Sequence, residues 1–158
     1  MRRLVGKLVS AICCSCAIAV LVAGIAWGET AETGLDLDGL RGSVVYIDFW
    51  ASWCTPCRQS FPWMQQIQQR YRADGLEIVA VNVDQSRTDA ERFLRAYPTQ
   101  LRLVFDPKGA LATQFDVQGM PTSILIDRRG TARFTHIGFL PMDRVVYESE
   151  IQTLLSEH

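Results

Sequence analysis

Past Cys57 the 158-residue chain has no further cysteine, and its only histidines are His136 and His158. A closed zinc site takes four nitrogen or sulfur ligands, so a Cys54/Cys57 pair with so few companions argues against structural zinc. A purely structural disulfide is also a weak reading, because so short a loop removes little entropy from the unfolded chain. Net charge is scant as well: −1 overall, and −4 once Arg2, Arg3 and Lys7 are set aside. With no basic surface, nucleic acid is excluded as a partner. What is present, 48% hydrophobic and 21% charged residues, is the makeup of one globular domain preceded by an atypical N-terminus.

That N-terminus, residues 1–28, reads as a signal peptide or a membrane anchor. Arg2, Arg3 and Lys7 precede an apolar run from Leu8 to Trp27, and Ala26-Trp27-Gly28 offers a small-x-small cleavage site. The run is also long enough to span a bilayer, though cleavage is the favoured outcome. Cys13, Cys14 and Cys16 lie inside it and read as small apolar-compatible residues rather than a second redox pair. A lipoprotein signal fits poorly, because Cys13 follows Ile12 early in the run. Residues 29–42 are acidic and glycine-punctuated, an exposed linker, and residues 43–158 form the domain.

The domain is organised around Val44 to Pro62, VVYIDFWASWCTPCRQSFP. Val44 to Trp50 is apolar except at Asp48, which suits a strand covered on both faces. Pro56 is tolerated only in the first turn of a helix, so the following helix is expected to open at Cys54. Free amide groups and the positive end of the helix dipole would favour a thiolate there, lowering its pKa. Cys54 is the candidate nucleophile and is expected to be exposed and alkylated first. Cys57, one turn on, is the candidate resolving thiol. Asp48 is the odd residue: a carboxylate in an apolar strand is costly when ionised, so its pKa should rise, and a raised pKa suits a proton shuttle. The alternative is a structural Asp bonded to backbone.

The FWASWCTPCRQSFP segment resembles the active-site stretch of the thioredoxin superfamily, and the chain from about Leu37 onward is similar to its envelope branch of TlpA-like and ResA-like thiol-disulfide oxidoreductases. Phe49, Trp50, Trp53, Cys54, Pro56 and Cys57 fall where that family has them, and Pro62 matches its helix-kinking proline. The resemblance implies an α/β fold with a central mixed sheet flanked by helices, a redox disulfide between Cys54 and Cys57, potential tuning by Thr55 and Pro56, and substrate contact by Trp53. It also assigns Asp48 the proton from the resolving thiol. Ala80 stands where thioredoxins place a lysine partner for that aspartate.

Further along, Met64, Ile67 and Tyr71 recur at helical spacing, Leu76 to Asp84 is a second apolar strand, and strand, helix and strand make a parallel βαβ unit. Thr88 to Tyr97 reads as an amphipathic helix, Leu101 to Phe105 as a strand and Ala110 to Phe115 as a helix. This extra length before Pro121 resembles the TlpA-like insertion of a helix and a strand. Pro121, before the apolar strand Ser123 to Ile126, resembles the family's cis proline, which would turn the Met120 backbone toward a substrate strand. A hairpin turn at Asp127 to Gly130, a return strand Thr131 to Phe139 and a closing helix Asp143 to Leu155 complete the domain. Gly138 matches a family glycine near the active site. His136 reads as a packed or edge residue rather than a ligand.

The expected function is exported thiol-disulfide exchange, as a reductase, in the periplasm or another extracytoplasmic space, with no cofactor and no metal. Partners would be cysteine-containing envelope proteins and a membrane electron donor; contact with the membrane would come only through an uncleaved N-terminal segment. A thioredoxin-like copper metallochaperone or binding module, usually spaced CxxxC, and a thiol peroxidase, which depends on a different motif, are the alternatives.

Overall fold

A computed structural model of the protein describes residues 34–157. The leader, Cys13, Cys14 and Cys16, part of the 29–42 linker and His158 lie outside the described residues. After one turn of 3-10 helix at Asp38–Leu40 comes β1, Val44–Trp50, buried at every position. Its β-branched and aromatic residues suit a pleated surface packed on both sides. Then follow α1 (Cys57–Tyr71), β2 (Leu76–Asn82), α2 (Arg87–Ala96), β3 (Arg102–Phe105), α3 (Ala110–Gln114), β4 (Thr122–Ile126), β5 (Ala132–Ile137) and α4 (Arg144–Ser156).

The strands form a single five-stranded sheet in the order β3-β2-β1-β4-β5. β1, β2 and β3 are parallel, whereas β4 and β5 run antiparallel to their neighbours. This is the mixed, helix-flanked sheet that the sequence led us to expect, with α2, β3 and α3 filling the stretch before Pro121. Alternation along β1 divides the core. Val44, Tyr46 and Trp50 join Phe61, Met64 and Ile67 of α1 and Tyr147, Ile151 and Leu154 of α4. Val45, Ile47 and Phe49 face Leu111 and Phe115 at α3.

An aromatic cluster seats the α1 end of this layer: Trp50 meets Phe61 edge-on at 4.8 Å and Phe93 at 4.7 Å between ring centroids. Fully burying one such ring contributes about 1.5–3 kcal/mol, so α1 is fixed where β1 ends. Two strands end two residues earlier than expected. β2 stops at Asn82, where polar side chains take over the strand end. β5 stops at Ile137, before the expected Phe139, because Gly138 adopts a φ of +87° and donates its N–H to the Pro121 carbonyl at 2.7 Å. A side chain there would be strained.

Candidate active site

The carboxyl ends of β1 and β2, the start of β4 and the end of β5 meet at one end of the sheet. Phe49 pairs with Thr122, and Thr122 with Ile137, so Ala51 to Cys57 and Met120–Pro121 leave the sheet on the same side. α4 starts at this end, since its far end lies over the opposite one, where the Arg128 guanidinium donates to the Leu155 carbonyl.

Cys54 and Cys57 are joined in a disulfide with their Cα atoms 5.3 Å apart. The helix opens later than expected: α1 begins at Cys57, with Pro56 at the N-cap. Residues 54–56 instead form a turn, in which the Cys57 N–H points at Cys54 Sγ, 3.2 Å away. A sulfur in this place takes one of the amide donors that the first helical turn leaves free, so the electrostatic argument for Cys54 carries over to the corrected geometry. Exposure needs a larger correction. Cys54 is only 3% exposed and Cys57 is fully buried. The reason is the turn before them: the Cys54 N–H donates to the Ala51 carbonyl, which draws Cys54 into the core and leaves Trp53, 67% exposed, outside.

Thr55 and Pro56 span the two cysteines, with the Thr55 carbonyl accepting from Arg58 and the Pro56 carbonyl from Gln59 and Ser60. Inside α1, Pro62 lacks an N–H and leaves the Arg58 carbonyl without its helical donor. Across the site the Met120–Pro121 peptide bond is cis, and the Thr122 hydroxyl donates to the Gly119 carbonyl at 2.7 Å, closing that loop.

Asp48 is 1% exposed, and its Oδ2 has no hydrogen-bond partner among the described residues. Burial alone raises its pKa well above the usual carboxylate range. It lies on the face of β1 that packs against α1 and α4, opposite Ala80 on β2 and Ser123 on β4. Thus Ala80, and no cation, faces it from β2. The Tyr46 phenol, two residues back on the same face, is likewise pushed up, first by burial and then by Asp48.

Two features escaped the sequence reading. Asp84, buried just past β2, accepts from the Ser52 N–H and Oγ at 2.9 Å each and from the Asn82 amide at 2.8 Å. It thereby pins the turn that carries Trp53 and Cys54. The signal was a pair of polar residues, Asn82 and Asp84, closing an apolar strand. Ser60, also buried, donates to the Cys57 carbonyl at 3.1 Å. His136 contacts Glu150 through Nε2 at 2.6 Å and packs its ring 4.6 Å from that of Tyr147. Among the described residues no group of three or more His, Cys, Asp or Glu is arranged to hold a metal ion, and no helix is long and apolar enough to cross a membrane.

A cysteine pair closed at the head of a helix, beside a cis-proline loop on a mixed sheet, defines a thioredoxin-like fold. Residues 28–155 match the family model described as Redoxin, and the chain belongs to that family. It is 34% identical over 102 residues to the thiol-disulfide oxidoreductase ResA of Bacillus subtilis, covering 65% of this chain and 57% of the relative. With ResA of Geobacillus thermodenitrificans it shares 31% identity over 118 residues, 69% of this chain and 68% of the relative. The first of these matches therefore spans little more than half of the relative's length. Among solved structures, one described as a thiol:disulfide interchange protein DsbE from Chlorobium tepidum superposes with a TM-score of 0.75 at 51% identity, over 76% of this chain and 85% of that one. StoA from Bacillus subtilis gives 0.60 at 28% identity, over 69% and 84%.

Proposed function

We propose that the protein is an extracytoplasmic thiol-disulfide oxidoreductase that reduces disulfides in protein partners. The observation that carries this reading is the Cys54–Cys57 disulfide at the head of α1. In the reductive direction the Cys54 thiolate attacks a substrate disulfide, forming a Cys54–substrate bond and releasing one substrate thiolate. The Cys57 thiol then gives its proton to the Asp48 carboxylate and attacks Cys54 Sγ. That closes the protein disulfide and releases the second substrate thiolate. The protein dithiol loses two electrons, and the substrate disulfide gains them. To turn over again, the protein disulfide takes two electrons from a donor dithiol at the membrane.

Exposed apolar residues around the attack site favour a polypeptide substrate. Trp53, Ile137, Leu140, Met142, Val145 and Val146 are exposed, all on segments that the topology brings to the redox end. They supply a protein-docking face around a sulfur that is itself nearly covered. The N-terminal apolar run supports export to the envelope. Restricted access also favours selected partners over general reduction.

The test is the reduction potential of the Cys54/Cys57 couple, measured by equilibration with glutathione, together with capture of envelope proteins on Cys57→Ser. A potential well below that of glutathione and covalent complexes through Cys54 are expected. A strongly oxidising couple would reverse the direction, and an inert cysteine pair would remove the function.

A further inference from the structure

Strand pairing lines up three polar side chains across the sheet. Asp48 of β1 is paired with Ser123 of β4, and Ser123 with His136 of β5. Directly paired residues project to the same face with Cβ atoms about 4.5–5.5 Å apart, close enough for neighbouring polar tips to meet directly or through one water. The face is the one that α4 covers, for His136 touches Glu150 and Tyr147 of that helix. Burial is lower at the outer end of the row: Asp48 is 1% exposed and Ser123 4%, while the side chains of His136 and Glu150 are 21% and 17% exposed. The row therefore runs from the middle of the sheet to its β5 edge, where solvent begins.

We propose that Asp48 exchanges its proton with solvent sideways along this row, through the hydroxyls of Ser123 and Tyr46, to the His136–Glu150 pair at the edge of the sheet. The inference rests on the thiol-disulfide exchange reading and adds residues to it. Asp48 must shed its own proton before it can take that of Cys57, so exchange along the row precedes closure of the disulfide; the buried hydroxyl of α1, Ser60, is spent on the Cys57 carbonyl, and β2 offers only Ala80. The polar groups on the same side of the sheet are Tyr46 and Trp50 on its own strand, Ser123 on β4, His136 on β5, and Tyr147 and Glu150 on α4. Tyr46 lies within the influence of Asp48, Ser123, Tyr147 and Glu150, which places the phenol amid the row. Each hydroxyl can accept one proton while donating another, and the imidazole has two ring nitrogens, one of which, Nε2, meets Glu150. In the transfer an O–H bond at Asp48 breaks, one forms at the next oxygen, and each successor hands on its own proton. The last reaches water from the imidazole or the Glu150 carboxyl, with no change in electron count. Ser123 and His136 touch neither sulfur and act through Asp48.

The experiment uses the reduced protein and saturating glutathione disulfide, so that no protein partner is needed and closure of the Cys54–Cys57 bond is followed by tryptophan fluorescence across pH 5–9. Ser123→Ala is expected to slow closure at least about tenfold, within the range that proton transfer contributes, and to change the pH profile. Ser123→Thr, which keeps the hydroxyl, should restore it, and His136→Gln should slow closure in the same way. In an Asp48→Asn background neither substitution should have any further effect. Wild-type rates and profiles in both Ser123→Ala and His136→Gln, or effects that persist undiminished with Asp48→Asn, would overturn the row. Should Ser123→Ala not fold, His136→Gln at the partly exposed edge decides the matter alone. Failure of the wild type itself to exchange with glutathione disulfide would instead strike at the oxidoreductase reading, and the row would fall with it.

Discussion

Replacing Asp48 by Asn should change the pH dependence of stability more than its size. Burial raises the Asp48 pKa in the folded protein, whereas the unfolded chain releases this proton near pH 4. Between those two values the folded state holds more protons than the unfolded one, so wild-type stability falls as pH rises through the window and levels off above the folded pKa. Each pH unit within it is worth about 1.4 kcal/mol. The Asn variant has no such slope. It does carry a constant penalty, because its amide brings two N–H donors, where the protonated carboxyl brings one, to a place where Oδ2 finds no partner, and a further unsatisfied buried group costs about 1–3 kcal/mol. The variant is therefore expected to be the less stable protein at pH 4, to gain on the wild type with every step toward neutrality, and to overtake it once about one to two units of slope have offset the penalty. Urea midpoints at half-unit intervals from pH 4 to pH 8, at fixed ionic strength and in both redox states, measure this. Other titrating groups cancel in the difference between the two proteins. A difference that stays flat with pH would show that Asp48 ionises as freely folded as unfolded, and the shuttle assignment would go with it.

Cys57→Ser should accumulate mixed disulfides through Cys54 that gel shifts under non-reducing conditions reveal, while Cys54→Ser should accumulate none; equal trapping by both would void the division of roles. Asp84→Ala strips the acceptors from Ser52 and Asn82 and should lower unfolding free energy by about 1–3 kcal/mol while loosening the turn before Cys54, read as faster alkylation of the reduced thiol; unchanged alkylation would limit Asp84 to the fold. Trp53→Ala, at a side chain that is largely outside, should leave stability within about 0.5 kcal/mol yet weaken exchange with protein substrates more than exchange with glutathione, a comparison of second-order rates that fails if both fall alike.

Local chemistry made much of this architecture legible. The β1 boundaries were readable to the residue, from a run that is apolar except at Asp48 and lies between Gly42-Ser43 and the Ala51-Ser52 turn. The two cysteines, the proline after Met120 and the lone carboxyl in β1 stood out because each breaks a pattern set by adjacent residues. Where the reading slipped, at the first turn of α1 and at the ends of β2 and β5, the deciding contacts come from elsewhere in the chain or from one turn of backbone. Pro56 permits a helix start at either cysteine, and the turn closed by Cys54 onto Ala51 decides between them. Cys54 looked exposed because its motif ends a strand and opens a helix, and nothing in that spacing shows how far the turn folds back. Gly138 terminates β5 through a bond to Pro121, 17 positions earlier.

A harder class of feature consists of residues whose meaning depends on register. Ser123 is an unremarkable serine at a strand start until the pairing places it beside Asp48, and His136 read as an edge residue because its neighbours in sequence supply no partner. Shifting β4 by one position would turn Ser123 to the opposite face, away from the carboxyl. What holds the register is itself non-local: cross-strand pairs run the length of β1 and β4, and the hairpin into β5 is closed by Asp127, whose Oδ1 accepts from the Arg129 and Thr131 N–H groups. The polar row and the hairpin turn are therefore coupled. Loosening the turn with Asp127→Ala should disturb the edge of the sheet and the His136–Glu150 pair before it touches the disulfide. Amide hydrogen exchange along β5, with the Cys54–Cys57 bond intact, would resolve that order, and simultaneous loss of protection in β5 and α1 would refute it.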